Sequence, residues 1–226
     1  MRLIYVLLVT GILAVAMLWL GKFGVVRKRL AVLVACASIV CGGGLLLMAV
    51  LPGNSFYGET ITSVQVPNGK KLVALTFDDG PYPPYTQKLL DVLEKKQVKV
   101  TFFMVGNNAV KNPEVVTLVT SKGHEVALHA EEHRDFLKLN EQELVGNILR
   151  GKKLLGDLTG KPVKYLRPPH GFRDWAVMEA ASDAGLKVVN WSVIPRDWTN
   201  PGAQEIADRV CKNVTPGAIV LLHDGD

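Results

Sequence analysis

Two adjacent carboxylates, Asp78 and Asp79, close the apolar run "LVALTF" and are followed at once by Gly80 and Pro81. Like charges held side by side hinder each other's ionisation unless a cation stands nearby. A solvated turn would tolerate them, whereas a metal ion would use them. All five histidines lie beyond residue 123, at His124, His129, His133, His170 and His223. His129 and His133 have the spacing that places two imidazoles on one face of a helical turn. Two imidazoles and one carboxylate form a ligand set for a divalent ion that leaves a position open for water. Asp79 is the natural carboxylate, because a cation there also relieves its repulsion with Asp78. Either pair alone fits solvent-facing loop side chains equally well. Their joint occurrence is what points to metal chemistry.

The elements that must bring these residues together follow from hydrophobic periodicity. Strands are expected at 72–77, 98–105, 124–129, 164–169, 186–193 and 217–223, and helices at 85–97, 113–121, 141–158, 175–184 and 203–214. Such alternation implies parallel strands with helices packed outside, in an open sheet or a barrel. The unusual polar residues stand just after strands: Asp78 and Asp79, His129, Arg167, Asp197 and His223. In a (β/α) barrel the C-terminal ends of all strands share one face, so residues distant in sequence would converge there.

The quoted motifs "TFDDGP" (76–81), "HAEEH" (129–133), "RPPHGF" (167–172), "DW" (197–198) and "LLHD" (221–224) occur in that order. Together they resemble the polysaccharide deacetylases, the NodB-homology family also known as carbohydrate esterase family 4. The resemblance covers residues 72–226. It implies a distorted (β/α) barrel of the NodB-homology type and a metal-dependent removal of acetyl groups from sugar polymers such as peptidoglycan or chitin. It implies that Asp79, His129 and His133 hold the metal, with zinc the leading ion and Co2+, Ni2+ or Mn2+ as alternatives. Asp78 would be the general base and His223 the general acid. Arg167 would pair with Asp78, and Asp197 would support the His223 imidazolium. The turn Pro168, Pro169, His170, Gly171 and Phe172 would line the substrate groove, with the backbone N–H of His170 helping to stabilise the oxyanion. Trp198 and Leu221 would form the wall against the acetyl methyl group. Trp191 belongs either to that wall or to the core, and the His170 side chain either lines the groove or fills the turn.

Composition bounds the rest. The formal charge of +5 suggests nucleic acid until it is divided by region. Residues 1–71 hold seven Lys/Arg against one acid, and the remainder holds 19 against 20, so nucleic acid is excluded as a partner. The basic residues flank two uncharged runs, 3–20 and 30–51, each long enough to cross a bilayer as a helix. The turn "GKFGVVRKR" between them carries four positive charges, which places it in the cytoplasm and everything after Leu51 outside. A cleaved signal peptide is the competing reading of the first run, but it has neither a strong basic start nor a clear small-residue cleavage site. "LVAC", ending at Cys36, only partly matches a lipoprotein processing box.

The expected organisation is therefore a membrane anchor over 1–51, a turn-rich linker over 52–71 and a catalytic domain over 72–226. Cell-wall polysaccharide and membrane lipid are the expected partners, and the sequence leaves the oligomeric state open. Cys211 alone in the outer domain allows no internal disulfide there.

Two departures from the family pattern carry expectations. Ala130 stands where the family usually has Ser or Thr, which predicts weaker metal retention. The sequence ends after "LLHDGD" where the family pattern continues with a helix and a strand: either it is a fragment truncated at its C-terminus, or the barrel is left open beside His223, and low stability is expected. A related amidohydrolase acting on a non-sugar or lipid-linked amide, or an inactive glycan-binding module, are the alternatives to a deacetylase.

Overall fold

The computed structural model describes residues 2–67 and 70–225. Asn68 and Gly69, within the expected linker, and Asp226, at the end of the expected domain, lie outside the described residues. Two long helices come first, α1 (Leu3–Lys22) and α2 (Lys28–Val50). Six strands follow, β1 (Ala74–Asp78), β2 (Thr101–Val105), β3 (Glu125–Ala130), β4 (Tyr165–Leu166), β5 (Lys187–Val188) and β6 (Ile219–His223). The helices between them are α3 (Tyr85–Lys95), α4 (Gly106–Lys111), α5 (Pro113–Ser121), α6 (Glu141–Thr159), α7 (Trp175–Asp183) and α8 (Ala203–Asn213).

The sheet runs in the order β5-β4-β3-β2-β1-β6, and every pairing is parallel. Asp78 at the end of β1 is in register with His223 at the end of β6. The chain after β5 curves toward β6: Val189 N–H donates to the Leu166 carbonyl at 2.9 Å, and Val193 bridges Val220. Ser192 and Val193 donate to the Ile219 carbonyl, and Leu221 donates to that of Val193. The β6 edge expected to be bare beside His223 is therefore occupied by 192–193, and the sheet bends into a distorted barrel.

Local sequence explains the elements. β2 reads "TFFMV", with aromatic and β-branched side chains suited to a pleated surface buried on both faces. α6 starts at a capping box: Asn140 Oδ1 accepts from Glu143 N–H, and Glu143 Oε2 accepts from Asn140 N–H, each at 2.9 Å. Its Leu144, Ile148 and Leu155 lie fully buried in the cluster that joins the helices to the sheet. A smaller cluster fills the barrel interior, where Phe103, Trp191, Ile219 and Leu221 meet.

α1 and α2 form an antiparallel hairpin. The α2 face turned inward carries small residues, among them Ala31, Ala35, Ser38 and Gly42, while Leu33, Ile39 and Val40 point outward. Both helices are long and apolar enough to cross a membrane. The segment expected as a linker lies on the barrel. Ile61 bridges Val189, Ser63 bridges Ala218, and Val64 N–H donates to the Gly217 carbonyl at 2.9 Å.

Gly217 has φ 87°, and a Cβ built there would lie 2.0 Å from the Val64 carbonyl oxygen. Gly217→Ala is therefore expected to destabilise the chain by at least about 1–3 kcal/mol, the range for a non-glycine residue forced into a sparsely populated conformation. A thermal midpoint unchanged from wild type would show that the strap over 61–64 is not held as described.

Candidate active site

Five strand or loop ends meet at one end of the barrel around a cavity of about 430 Å³. Asp78, buried at the end of β1, receives Arg167 Nη1 on Oδ1 at 2.5 Å. Arg167 follows β4 and is fully buried. The same nitrogen reaches Thr76 Oγ1 at 2.9 Å, Nε reaches the Val189 carbonyl at 3.1 Å, and Nη2 reaches the Asn190 carbonyl at 3.1 Å. Its guanidinium carbon lies 4.0 Å from the Phe103 ring centroid. Burial raises the Asp78 pKa above the ordinary carboxylate value, against the opposing pull of Arg167 and the nearby histidines. A carboxylate tuned upward is a better proton acceptor near neutral pH.

Asp79 turns away from β1 with φ 76°, a left-handed conformation uncommon outside glycine, and its carbonyl accepts from Asn108 Nδ2 at 2.8 Å. Asp79 Oδ1 lies 3.4 Å from both His129 Nε2 and His133 Nε2. This oxygen is buried and has no hydrogen-bond partner. His129 Nδ1 lies 2.7 Å from the Arg167 carbonyl; as the donor in that bond, it leaves Nε2 as a lone pair facing Asp79. Burial, the largest influence, holds the His129 pKa down to about 3, so the ring is neutral, the form that ligates. The three ligand atoms lie within 4.8 Å of one another. An orphaned carboxylate oxygen between two converging imidazole nitrogens fits a divalent cation.

The expectation that His129 and His133 share a helical turn is corrected by the structure. His129 belongs to β3, and His133 lies in the loop after it. Asn147 of α6 folds that loop back: its Oδ1 accepts from Glu131 N–H at 2.7 Å, and its Nδ2 donates to the Glu132 carbonyl at 3.1 Å. Asn147 was not singled out from sequence. The available signal was an amide inside the apolar stripe of α6, between Leu144 and Ile148. Ala130 is fully buried in the core between sheet and helices. By strand alternation it faces away from His129, so a hydroxyl there would not reach into the cavity on that side.

His223 is gripped twice by Asp197: its N–H donates to Oδ2 at 2.7 Å, and Nδ1 lies 2.9 Å from Oδ1. Burial opposes protonation, but the hydrogen bond and charge of Asp197, with Asp78 and Asp79 behind, raise the pKa above the ordinary imidazole value. Trp198 meets this ring edge-on, with centroids 5.4 Å apart.

His170, with φ 60°, brings its ring within 5.2 Å of His133 and 5.3 Å of Phe172, and both His170 and Phe172 line the cavity. Trp191 is both cavity wall and buried side chain. A Cβ at Gly171 would approach Trp191 to 2.8 Å, so only glycine lets the turn lie against the ring. Pro168 and Pro169 shape this turn, and Gly171 N–H donates to the Pro168 carbonyl at 2.8 Å. Leu221 does not line the cavity; it lies below, packed with Trp191 in the barrel interior. Ile194, absent from the sequence reading, does line the cavity. Asp224 Oδ2 accepts from Thr86 Oγ1 at 2.7 Å, and burial pushes its pKa up to about 6.

The chain resembles known proteins in sequence and in fold. The sequence profile described as polysaccharide deacetylase matches residues 65–189. A peptidoglycan-N-acetylglucosamine deacetylase of Bacillus cereus is 42% identical over 163 residues, covering 71% of this chain and 76% of the relative. A chitooligosaccharide deacetylase of Sinorhizobium fredii is 39% identical over 158 residues, covering 70% and 74%. The crystal structure of the Bc1960 peptidoglycan N-acetylglucosamine deacetylase, solved with a hydroxamate-type ligand, superposes with a TM-score of 0.69 at 35% identity, covering 74% of this chain and 76% of that one. In sequence and in fold, the chain belongs to the polysaccharide deacetylase family.

Proposed function

We propose that the chain removes N-acetyl groups from a cell-surface glycan of the peptidoglycan or chitin type, with a divalent metal held by Asp79, His129 and His133. The observation that carries this reading is the unpartnered Asp79 Oδ1 between two imidazoles, directly beside an arginine-paired Asp78. The names of the relatives supply the substrate class. A site of two nitrogens and one oxygen suits zinc, with Co2+, Ni2+ or Mn2+ as alternatives. When bound, such an ion lowers the pKa of water and polarises a carbonyl.

The side chains supply the remaining steps. Arg167 occupies Asp78 Oδ1, and Oδ2 faces the ligand cluster, 3.8 Å from His129 Nε2. Oδ2 takes the proton of the water that attacks the amide carbonyl carbon. The backbone N–H of His170 serves as a donor to the oxyanion. Asp197 holds Nδ1 of His223, which leaves Nε2 as the proton donor. As the C–N bond breaks, that proton passes to the leaving nitrogen, giving a free amine and acetate. Trp191 and Trp198 bound the space on the His223 side, and His170 and Phe172 bound it on the metal side.

The anchor reading is supported by where the hairpin ends. The start of α1 and the end of α2 both meet the barrel, and the turn bearing Lys22, Arg27, Lys28 and Arg29 lies at the opposite end. This suits an uncleaved two-span anchor with its turn inside the cell and the barrel outside.

Asp78→Asn keeps an acceptor for Arg167 and is expected to lower the rate of acetate release by about 10²–10⁴-fold while the cobalt-substituted protein retains its visible spectrum. Chelation is expected to abolish release and zinc to restore it; full activity in the metal-free protein would defeat the metal assignment. Activity requires protonated His223, so it should fall as pH rises through that raised pKa. Asp197→Asn removes the groups that raise it, and the alkaline limb of kcat/KM should move to lower pH; an unmoved limb would remove His223 from the acid role. Cys211 is exposed on α8 and provides a native topology probe. A membrane-impermeant maleimide should label it in intact cells, and labelling only after permeabilisation would reverse the topology.

A further inference from the structure

We infer that Arg173 is a positioning residue for deacetylation, coupling the exit of the membrane hairpin to the His170–Phe172 wall of the cavity. The inference rests on the proposed assignment of that wall to substrate binding. Arg173 is fully buried and faces no carboxylate among the described residues. Its guanidinium instead gathers acceptors from two separate segments. Nη2 donates to the carbonyls of Leu51, at 2.9 Å, Pro52, at 3.1 Å, and Asn54. Nε donates to Thr60 Oγ1 at 2.9 Å, and Nη1 donates to the Gly171 carbonyl at 3.0 Å. Its backbone N–H donates to the Ala49 carbonyl at 3.1 Å. The Ala49 carbonyl, taken by the backbone N–H, lies in the last turn of α2, and the Leu51 carbonyl, taken by the guanidinium, is its C-cap, so both stand at the negative end of the helix dipole. A planar cation with five donors suits that convergence, and no neutral side chain reproduces it.

The other end of the hairpin is tied to the next residue. Asp174 Oδ2 accepts from Leu3 N–H at 2.9 Å, while Oδ1 caps α7 at Val177 and pairs with Arg2 at 3.6 Å. Two consecutive residues thus hold both ends of the hairpin, and the three residues before them form the cavity turn. Asn190 repeats the link, donating to the Pro52 carbonyl at 3.2 Å and the Gly171 carbonyl at 3.3 Å. Its own carbonyl accepts from Arg167, the partner of Asp78. The turn at Gly171 is therefore set by bonds whose other ends lie in the anchor exit. The barrel strands alone do not fix it.

The test uses the full zinc-loaded chain in phospholipid nanodiscs, with the N-acetylglucosamine tetramer as substrate. Arg173→Met is expected to raise KM by roughly tenfold while kcat changes little, since a displaced wall weakens placement of the substrate more than the proton transfers. Amide hydrogen exchange should accelerate at residues 170–172 and 49–61 and stay unchanged in β2 and β3. Arg173→Lys should recover part of the loss in KM. Unchanged KM and unchanged exchange at 170–172 in Arg173→Met would overturn the inference. Should that variant loosen β2 and β3 as well, Thr60→Val, which removes a single acceptor, decides: a raised KM supports the coupling, and an unchanged KM ends it. A wild-type chain that released no acetate from the tetramer would fail the substrate reading instead, leaving the exchange measurement to decide the coupling.

Discussion

A guanidinium with no access to water stands at the centre of this barrel, and the placement of the proposed catalytic side chains depends on it. Arg167 meets the Asp78 carboxylate at 2.5 Å and draws on acceptors from β1 and from residues 189–190. Its carbonyl, in turn, fixes the tautomer and tilt of His129. Removing two charges from water costs several kcal/mol per ion, and only close geometry with every donor engaged offsets it. The pair is therefore a weak candidate for a stability device and a strong one for a site-building device. It holds Asp78 ionisable yet desolvated, and it ties that carboxylate to one of the imidazoles with which Asp79 must converge. Losing either partner would leave a bare charge in the barrel interior, against Phe103 and Trp191.

The second constraint is register. Asp78 and His223 terminate adjacent parallel strands in the same row. The proposed base and acid thus stand on either side of one reacting bond without any loop having to close over them. Asp197 then adds a polarity difference: one member of the pair is a carboxylate raised by burial against the pull of its arginine partner, and the other is an imidazole raised by an anionic partner. Neighbouring groups whose environments hold them in opposite protonation states are what acid–base chemistry on an amide requires.

Much of this was legible in the sequence because the chemistry is concentrated at strand ends. Asp78, Asp79, His129, Arg167, Asp197 and His223 each follow an apolar run, and the β/α alternation brings such ends to one face. The helices over 113–121, 141–158 and 175–184 carry their own start signals, Pro113 at the first turn of one and the Asn140 and Asp174 caps of the others, and the structure places them within a residue or so. What escaped was non-local. α4 is a six-residue helix with no apolar period. The loop holding His133 is bent by an amide on α6, a contact across 15 residues that spacing alone turned into a helical turn. Leu221 falls on the same strand face as His223 but one step deeper, which alternation predicts only once the depth of the barrel is known. The segment 52–67 is rich in turn formers, and composition could not show that its backbone would bridge β6 and the chain after β5.

Arg173 bonds through its backbone to Ala49, and His170 lies three residues earlier in the chain. Three residues reach at most about 11 Å. With the hairpin embedded as proposed, the catalytic pocket would ride about one nanometre from the hydrocarbon boundary, like a blade mounted flush with a table.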